Sequence, residues 1–195
     1  MSMQFYAMMS RMKYIERWAL MRNAVTENIS EHSLEVAMLA HALAVISNVR
    51  CNNHLNVERA ALLGLYHDCT EIITGDLPTP VKYGNNEIRQ AYKEVEKVAG
   101  MELLHMLPDD MQPYYHDLFF PQEEEAYLWK LEKAADKLSA LIKCMEEEKA
   151  GNREFLSAKE ATRNALEAMQ LPEVDIFLEE FLPEYEKNLD ELKRR

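Results

Sequence analysis

Residues 28–47, NISEHSLEVAMLAHALAVIS, are the stretch that most clearly predicts the fold. Asn28 and Glu31 have the spacing of a capping box, which marks the start of a helix. From there apolar side chains recur at helical spacing to about Ser47. Four residues are predicted to share the inner face of this helix, namely Leu34, Met38, His41 and Val45. The stretch is therefore predicted to be an amphipathic helix.

The rest of the chain shows the same helical periodicity, and no segment alternates apolar and polar residues for long. Further helices are predicted over residues 4–13, 57–73, 86–99, 100–108, 121–149, 151–170 and 172–195. The apolar stripe predicted for the long helix 121–149 is Leu128, Leu131, Ala135, Leu138, Ile142 and Met145. The predicted fold is all-α, a single helical domain over residues 1–195.

Composition limits the classes of partner. The chain has 195 residues with 48% hydrophobic and 29% charged residues, which is typical of a globular domain. Only 5 residues are glycine, so a many-turned β-sandwich or barrel is not expected. The net charge is −12, which argues against a nucleic-acid polymer or an anionic membrane surface as partner, since both attract basic proteins.

The cysteines and the apolar runs indicate the cellular compartment of the protein. Cys51, Cys69 and Cys144 form no CxxC pair and cannot all be bridged, which favours a reducing compartment. The longest apolar run, residues 36–46, is interrupted by His41 and is shorter than the roughly 20 residues of a membrane helix. We therefore expect a soluble, cytoplasmic protein.

The residues with the strongest chemical signal are His67, Asp68 and Glu71. Residues three and four apart on a helix share a face, so these side chains are predicted to converge at the end of an apolar segment. His32, in the first turn of the preceding helix, could face them. Such a mixed nitrogen and oxygen donor set suits Mn2+, Co2+, Fe2+ or Zn2+.

Other polar residues have simpler interpretations. A His-Asp dipeptide is a weak signal on its own, and the remaining histidines (His41, His54, His105 and His116) are interpreted as hydrogen-bonded or solvated side chains. Cys69 is interpreted as a small core residue. The two glutamate runs, 123–125 and 146–148, are interpreted as solvated helix faces.

The order of His32, then His67-Asp68, then a later Asp136 resembles the HD-domain superfamily of metal-dependent phosphohydrolases. The resemblance is closest to the bacterial 5'-deoxynucleotidases of the YfbR-like family. The strings that carry it are RW (17–18), LMRN (20–23), TEN (26–28), SEHSL (30–34), YHD (66–68), Glu71, TGDLPTPVKY (74–83), KC (143–144), GN (151–152) and EFL (154–156). They cover most of the chain and are most specific over residues 17–83.

The resemblance implies a role for each residue of the site. The ligands of one divalent metal ion, Co2+, Mn2+ or similar, would be His32, His67, Asp68 and Asp136. Glu71 would position or deprotonate the attacking water, Arg17 would orient the phosphate, and Trp18 would border the sugar. The residues expected to contact substrate are Arg17, Trp18, Asp76, Leu77, Pro78 and Thr79, together with His32, Asp68 and Asp136. The resemblance also makes a homodimer plausible.

The implied activity is hydrolysis of 2'-deoxyribonucleoside 5'-monophosphates to deoxynucleoside and phosphate. One alternative is a phosphodiesterase or nucleoside-triphosphate hydrolase on the same metal frame, which would need further cations, with Arg22 and Lys82 as candidates. Another is a non-catalytic helical binding module that holds an inert ion.

The position of Asp136 on its predicted helix sets a condition for its role as a ligand. It lies about 130° from the apolar stripe, so the side of the helix with Trp129 and Ala140 must also be covered.

Overall fold

The computed structural model describes residues 3–82 and 85–193, and this part of the chain is built from helices. Its α-helices are α1 (Phe5–Met9), α2 (Ile29–Arg50), α3 (Val57–Tyr66), α4 (Glu71–Thr74), α5 (Thr79–Lys82), α6 (Asn86–Leu104), α7 (Gln112–Phe119), α8 (Ala126–Lys149), α9 (Leu156–Glu167), α10 (Pro172–Ile176) and α11 (Leu189–Leu192). Short 3-10 turns precede α8 and α9. Among the described residues extended pairing is limited to one isolated bridge, between Glu16 and Asn28. The all-α prediction is confirmed.

Helices α2, α3 and α8 form the centre of the core. α2 packs against both α3 and α8, and α8 also packs against α9. A close approach of α3 to α2 is made possible by Gly64, because a Cβ there would lie 2.9 Å from the Cα of Ala37. Asn28 caps α2 with the predicted capping box. These contacts bring the first turn of α2, the end of α3 and the middle of α8 together.

The predicted inner face of α2 was wrong. Leu34 and Met38 are more than half exposed, and His41 and Val45 are exposed as well. The buried face is instead formed by Ile29, His32, Ser33, Val36, Ala37, Leu39, Ala40, Leu43, Ala44, Ile46 and Ser47. The helix is apolar around most of its circumference, so periodicity alone could not select the side that faces the core.

α2 is also the one helix among the described residues that is long and apolar enough to cross a membrane. It has 22 residues, and its most apolar window has a mean hydropathy of 1.3. However, 56% of that window is buried within the protein, as expected of the central helix of a folded core.

The helix predicted over residues 57–73 is broken after Tyr66. A turn follows, in which the N–H of Cys69 donates to the carbonyl of Tyr66 and that of Glu71 to the carbonyl of Asp68. α4 then begins at Glu71. His67 and Asp68 lie in this turn, and both side chains reach Nε2 of His32 on α2, at 3.2 Å and 3.5 Å.

Other predicted boundaries also changed. The helix predicted over residues 4–13 is divided into α1 and a 3-10 turn, Met12–Tyr14. α6 runs through Gly100, which packs against Phe119 and Phe120, rather than ending there. The long helix begins at Ala126 rather than at Pro121, and its predicted apolar stripe is buried or half-buried. These differences are at helix ends, where sequence signals are weakest.

Candidate active site

The four predicted metal ligands converge at one point between α2, the turn after α3, and α8. The Nε2 atom of His32 lies 3.2 Å from Nε2 of His67, 3.5 Å from Oδ2 of Asp68 and 3.2 Å from Oδ1 of Asp136. His67 Nε2 lies 3.0 Å from Oδ2 of Asp68. The Nδ1–H of His67 donates to the carbonyl of Gly64 at 2.7 Å, which turns its Nε2 toward this centre.

This arrangement fits a divalent cation. Ligand atoms of His32, His67 and Asp68 all lie within 4.8 Å of one another. Two imidazole nitrogens that face each other at 3.2 Å, with carboxylates beside them, are the donor set that Zn2+ and similar ions prefer. The side of α8 that carries Asp136 meets in part the condition set by its sequence position, because Trp129 and Ala140 are half-buried.

Three of the four side chains have pKa values shifted in the direction that favours positive charge at the centre, and His32 is the exception. Burial lowers the pKa of His32, and Arg17 lowers it further. For His67, burial acts in the same direction, but Asp68 outweighs it and raises the pKa to about 10. Burial alone would raise the pKa of Asp68, yet His67 lowers it to about 2. Burial would also raise the pKa of Asp136, but His32 holds it below its usual range. A proton on His67 and a metal ion would therefore compete for this position.

Glu71 lies beside the centre with an unused acceptor. Its side chain is buried, and Oε2 has no hydrogen-bond partner. Burial, with repulsion from Asp68 and Asp76, raises the pKa of Glu71 to about 9. A buried carboxyl oxygen without a partner calls for one from outside the chain, such as water or substrate. Positive charge placed next to Glu71 would lower this pKa and favour the carboxylate.

Arg17 and Trp18 are fixed at the edge of the centre by Glu27. Arg17 Nη1 donates to Oε2 of Glu27 at 2.7 Å, and Trp18 Nε1 donates to the same oxygen at 3.1 Å. Nη2 of Arg17 also lies 3.9 Å from Oδ1 of Asp136. Trp18 has a φ of +60°, which is unusual for a bulky residue. Its ring packs against that of Phe155, with the two ring centroids 5.3 Å apart. The guanidinium and the indole are thus held next to the predicted metal ligands.

The segment after α4 provides the remaining predicted substrate residues. Gly75, with a φ of +71°, ends α4 and redirects the chain. Asp76, Leu77 and Pro78 follow and are half-buried. Burial raises the pKa of Asp76 while Arg17 opposes the shift, which places this carboxyl within the field of the arginine. The side chain of Thr79 lies outside the part of the chain that the structure describes, as does Tyr83 of the TGDLPTPVKY string.

The loop that carries Arg17 and Trp18 is tied to the end of α8. Glu147 accepts hydrogen bonds from the backbone N–H groups of Ala24 and Val25, and Lys143 donates to the carbonyl of Val25 and to Glu147. Burial of Glu147 opposes its charge, but Lys143 and these N–H donors lower its pKa to about 2. The interpretation of residues 146–148 as a solvated face was wrong for Glu147, which is fully buried.

The run 123–125 is likewise only partly solvated. Glu125 is half-buried and accepts two hydrogen bonds from Arg59, both at 2.7 Å. This pair joins the start of α3 to the turn before α8. In the sequence, Glu125 looks like any solvent-exposed glutamate of an acidic run. Only its contact with Arg59 in the structure shows that it is different.

Comparison with known proteins decides the family. The family model for YfbR-like 5'-deoxynucleotidases matches residues 4–185. The chain belongs to this family. A 5'-deoxynucleotidase of Yersinia pseudotuberculosis is 50% identical over 192 residues, covering 96% of this chain and 95% of that protein. The family, and the phosphoric monoester hydrolase activity that it implies, are thereby confirmed.

Two solved structures show the same fold. An HD-domain phosphohydrolase from Listeria innocua is 25% identical with a TM-score of 0.81, covering 93% of this chain and 88% of that one. The HD phosphohydrolase of cyanophage S-2L, bound to dA and one catalytic Zn2+ ion, is 21% identical with a TM-score of 0.67, covering 93% and 96%. The predicted HD-domain helical bundle is confirmed.

Several residues around the centre were given no role by the sequence analysis. Glu27 belongs to the TEN string, and no motif of the sequence includes Glu35, Glu132 or Ser139. Glu132 is buried one turn before Asp136, where burial raises its pKa to about 7 although His67 opposes the shift. One signal was present in the sequence: residues 132, 136, 139, 143 and 147 form a second, polar stripe on α8 at spacings of three and four.

Proposed function

We propose that this 5'-deoxynucleotidase is metal-dependent and that its active centre is the cluster of His32, His67, Asp68 and Asp136. The observation that carries the proposal is their convergence from three separate stretches, with the unpartnered carboxyl of Glu71 beside them. A non-catalytic binding module would have no need for that carboxyl or for the fixed Arg17.

The two histidines and two aspartates would hold one divalent cation. Such an ion supplies Lewis acidity, which lowers the pKa of water and polarises a phosphoryl oxygen. The cyanophage protein, which shares the fold, carries a catalytic Zn2+. For this chain we propose Co2+, Mn2+ or a similar ion, because a mixed imidazole and carboxylate set accepts several metals.

The chain's own residues supply binding and proton transfer. Arg17 presents a planar set of donors to the phosphate oxygens, held in place by Glu27. Glu71 takes the proton from the attacking water. The water oxygen bonds to phosphorus and the bond from phosphorus to O5' breaks. O5' takes up a proton from solvent to give the nucleoside, and Glu71 returns its own proton to solvent. Phosphoryl transfer of this kind depends mainly on positioning and charge neutralisation.

Trp18 and the segment 76–79 would border the sugar. We propose that Asp76 accepts a hydrogen bond from the deoxyribose hydroxyl, with Leu77, Pro78 and Thr79 at the rim. The indole of Trp18 would occupy the space into which a 2'-hydroxyl projects. The 2'-hydroxyl of a bound ribonucleotide would then lose its hydrogen bond to water without gaining one to the protein. This loss of binding free energy would favour deoxyribonucleotides.

Replacing Trp18 with alanine is expected to reduce the deoxy-to-ribo ratio of kcat/KM by about tenfold, since the exclusion is steric and of the size usual for pocket shape. Steady-state kinetics with matched deoxy- and ribonucleoside monophosphates measure it. Leu20→Ala, in the same loop but 71% exposed, serves as control. An unaltered ratio in Trp18→Ala would move selectivity to another residue.

The structure favours monophosphates over longer phosphate chains. Lys82, one of the two further cations that a triphosphate hydrolase was expected to use, pairs with Glu96 at 2.8 Å. Arg22, the other, has a side chain that is 86% exposed and lies 3.8 Å from Glu154. Arg17 is paired as well, with Glu27, but it also lies 3.9 Å from Asp136 among the proposed metal ligands, whereas Lys82 acts on Glu71 and Asp76.

A substrate panel on chelator-stripped protein tests the proposal. Mn2+, Co2+ or Zn2+ would be added back, and phosphate release would be measured from deoxy- and ribonucleoside mono-, di- and triphosphates. We expect release from deoxynucleoside 5'-monophosphates with at least one of these ions and little from the others. Equal release from triphosphates would support the alternative activity, and no release with any ion would remove the metal-dependent one.

The cellular setting is also proposed. Free thiols at Cys51, Cys69 and Cys144 suit the cytoplasm, and the acidic chain is expected to bind neither nucleic-acid polymers nor membranes. A homodimer is supported by the apolar outer face of α2, with Leu34, Met38 and Val49 all more than half exposed. Sedimentation of the protein at several concentrations distinguishes dimer from monomer.

A further inference from the structure

His32 takes part in a buried hydrogen-bond relay on the side away from the proposed metal. Its Nδ1 lies 2.9 Å from Oγ of Ser139, and that hydroxyl donates to Oε2 of Glu35 at 2.6 Å. His32 and Ser139 are fully buried, and Glu35 is half-buried. The relay joins α2 to α8, the two helices that supply His32 and Asp136.

The direction of these hydrogen bonds fixes the tautomer of His32. A serine hydroxyl has one hydrogen, and here it is given to the carboxylate of Glu35. The oxygen of Ser139 can then only accept from His32, so Nδ1 of the ring carries the proton. In the neutral ring the lone pair is then on Nε2, the atom that faces His67, Asp68 and Asp136.

We propose that Ser139 and Glu35 are positioning residues that hold His32 as the Nδ1–H tautomer and increase the basicity of its Nε2. The inference rests on the proposed function, since the cation at that centre is what Nε2 would bind. A hydrogen-bonded partner behind a metal-binding histidine makes the histidine a stronger ligand for the metal. Loss of such a partner typically weakens metal binding about 10- to 100-fold. His67 is fixed more simply, by the carbonyl of Gly64.

The neighbouring Ser33 provides a matched comparison. It is as buried as Ser139 and directly follows His32 in the chain, but its Oγ has no hydrogen-bond partner. Removal of either hydroxyl deletes one buried oxygen atom. Only the removal of the Ser139 hydroxyl breaks the relay.

Ring 15N NMR of the metal-free protein and chelator competition for Zn2+ test the proposal together. In the native chain we expect His32 to show the Nδ1–H tautomer. Ser139→Ala should give a mixture of tautomers and bind Zn2+ about 10- to 100-fold more weakly. Ser139→Thr, which keeps the hydroxyl, should recover most of both, and Ser33→Ala should behave as the native chain. Glu35→Gln, which loses the charge, should weaken Zn2+ binding less than Ser139→Ala and covers the case in which Ser139→Ala does not fold.

The outcomes separate this inference from the proposed function. A native tautomer and native affinity in Ser139→Ala would overturn the relay while the metal-dependent activity stands. Equal loss in Ser139→Ala and Ser33→Ala would also overturn it, because the effect would then be one of packing. If the native chain binds no metal but its tautomer changes in Ser139→Ala, the proposed metal centre fails, and with it the increase in metal affinity assigned to the relay.

Discussion

Glu71→Gln lowers kcat by about 10²- to 10⁴-fold, the usual contribution of a general acid or base, while the bound metal is retained. The side chain keeps its shape but can no longer take a proton from water. Its position supports this role, since it is buried beside the ligands with one oxygen unpaired. The measurement is kcat with saturating metal and substrate, together with the metal content of the purified variant.

Glu173→Gln is the matched control for that variant. Glu173 is fully buried too, but its partners are Ser47 and Tyr127. Its replacement is expected to lower the melting temperature without a comparable change in kcat of the folded protein. A Glu71→Gln enzyme with native turnover would remove Glu71 from the reaction, and one that had lost its metal would assign Glu71 a role in binding the ion.

The sequence predicted the active-centre residues better than it predicted their geometry. His67, Asp68 and Glu71 were expected to share one helix face, yet a turn and a new helix separate them. The spacing still pointed to residues that lie close together, because a tight turn also brings nearby side chains together. The partners that hold the site lie far away in sequence: Ser139 is 107 residues from His32, and no local pattern predicts such a contact.

The inner face of α2 shows the same limit for the fold. Periodicity selected the side with Leu34 and Met38, whereas the buried side combines large residues such as Leu43 with alanines, of which Ala37 lies against Gly64 of α3. A helix apolar on both sides fits either arrangement until its neighbours are known. The exposed apolar side is the face that we propose to bind a second copy of the chain.

The acidic net charge does not conflict with a phosphate substrate. At the centre, the field is set by nearby groups, and Arg17 lies 3.9 Å from Asp136 and 2.7 Å from Glu27. Burial would lower the pKa of Arg17, but these carboxylates raise it, so the guanidinium stays charged. The other charges are spread over the surface and are screened by salt beyond about 10 Å. They oppose long polyanions far more than one phosphate.

Asp136→Asn is expected to weaken metal binding by at least about 100-fold, because it replaces a charged ligand by a neutral amide, a larger change than the loss of an outer partner. The carboxylate is held ionised next to His32, which is the state that a cation requires. Elemental analysis and chelator competition measure the loss. Asp110→Asn, exposed in the turn before α7, removes the same charge as a control.

The contact of Asp136 with Arg17 offers a second explanation that the same variant separates. If Asp136 served only to orient the arginine, Asp136→Asn would keep its full metal content, and KM for the monophosphate would rise as the guanidinium lost its partner. If Asp136 is a ligand, activity falls at limiting metal and recovers as the ion concentration is raised, because mass action refills a weakened site. Full metal content with native competition would therefore remove Asp136 from the ligand set and leave the centre with His32, His67 and Asp68.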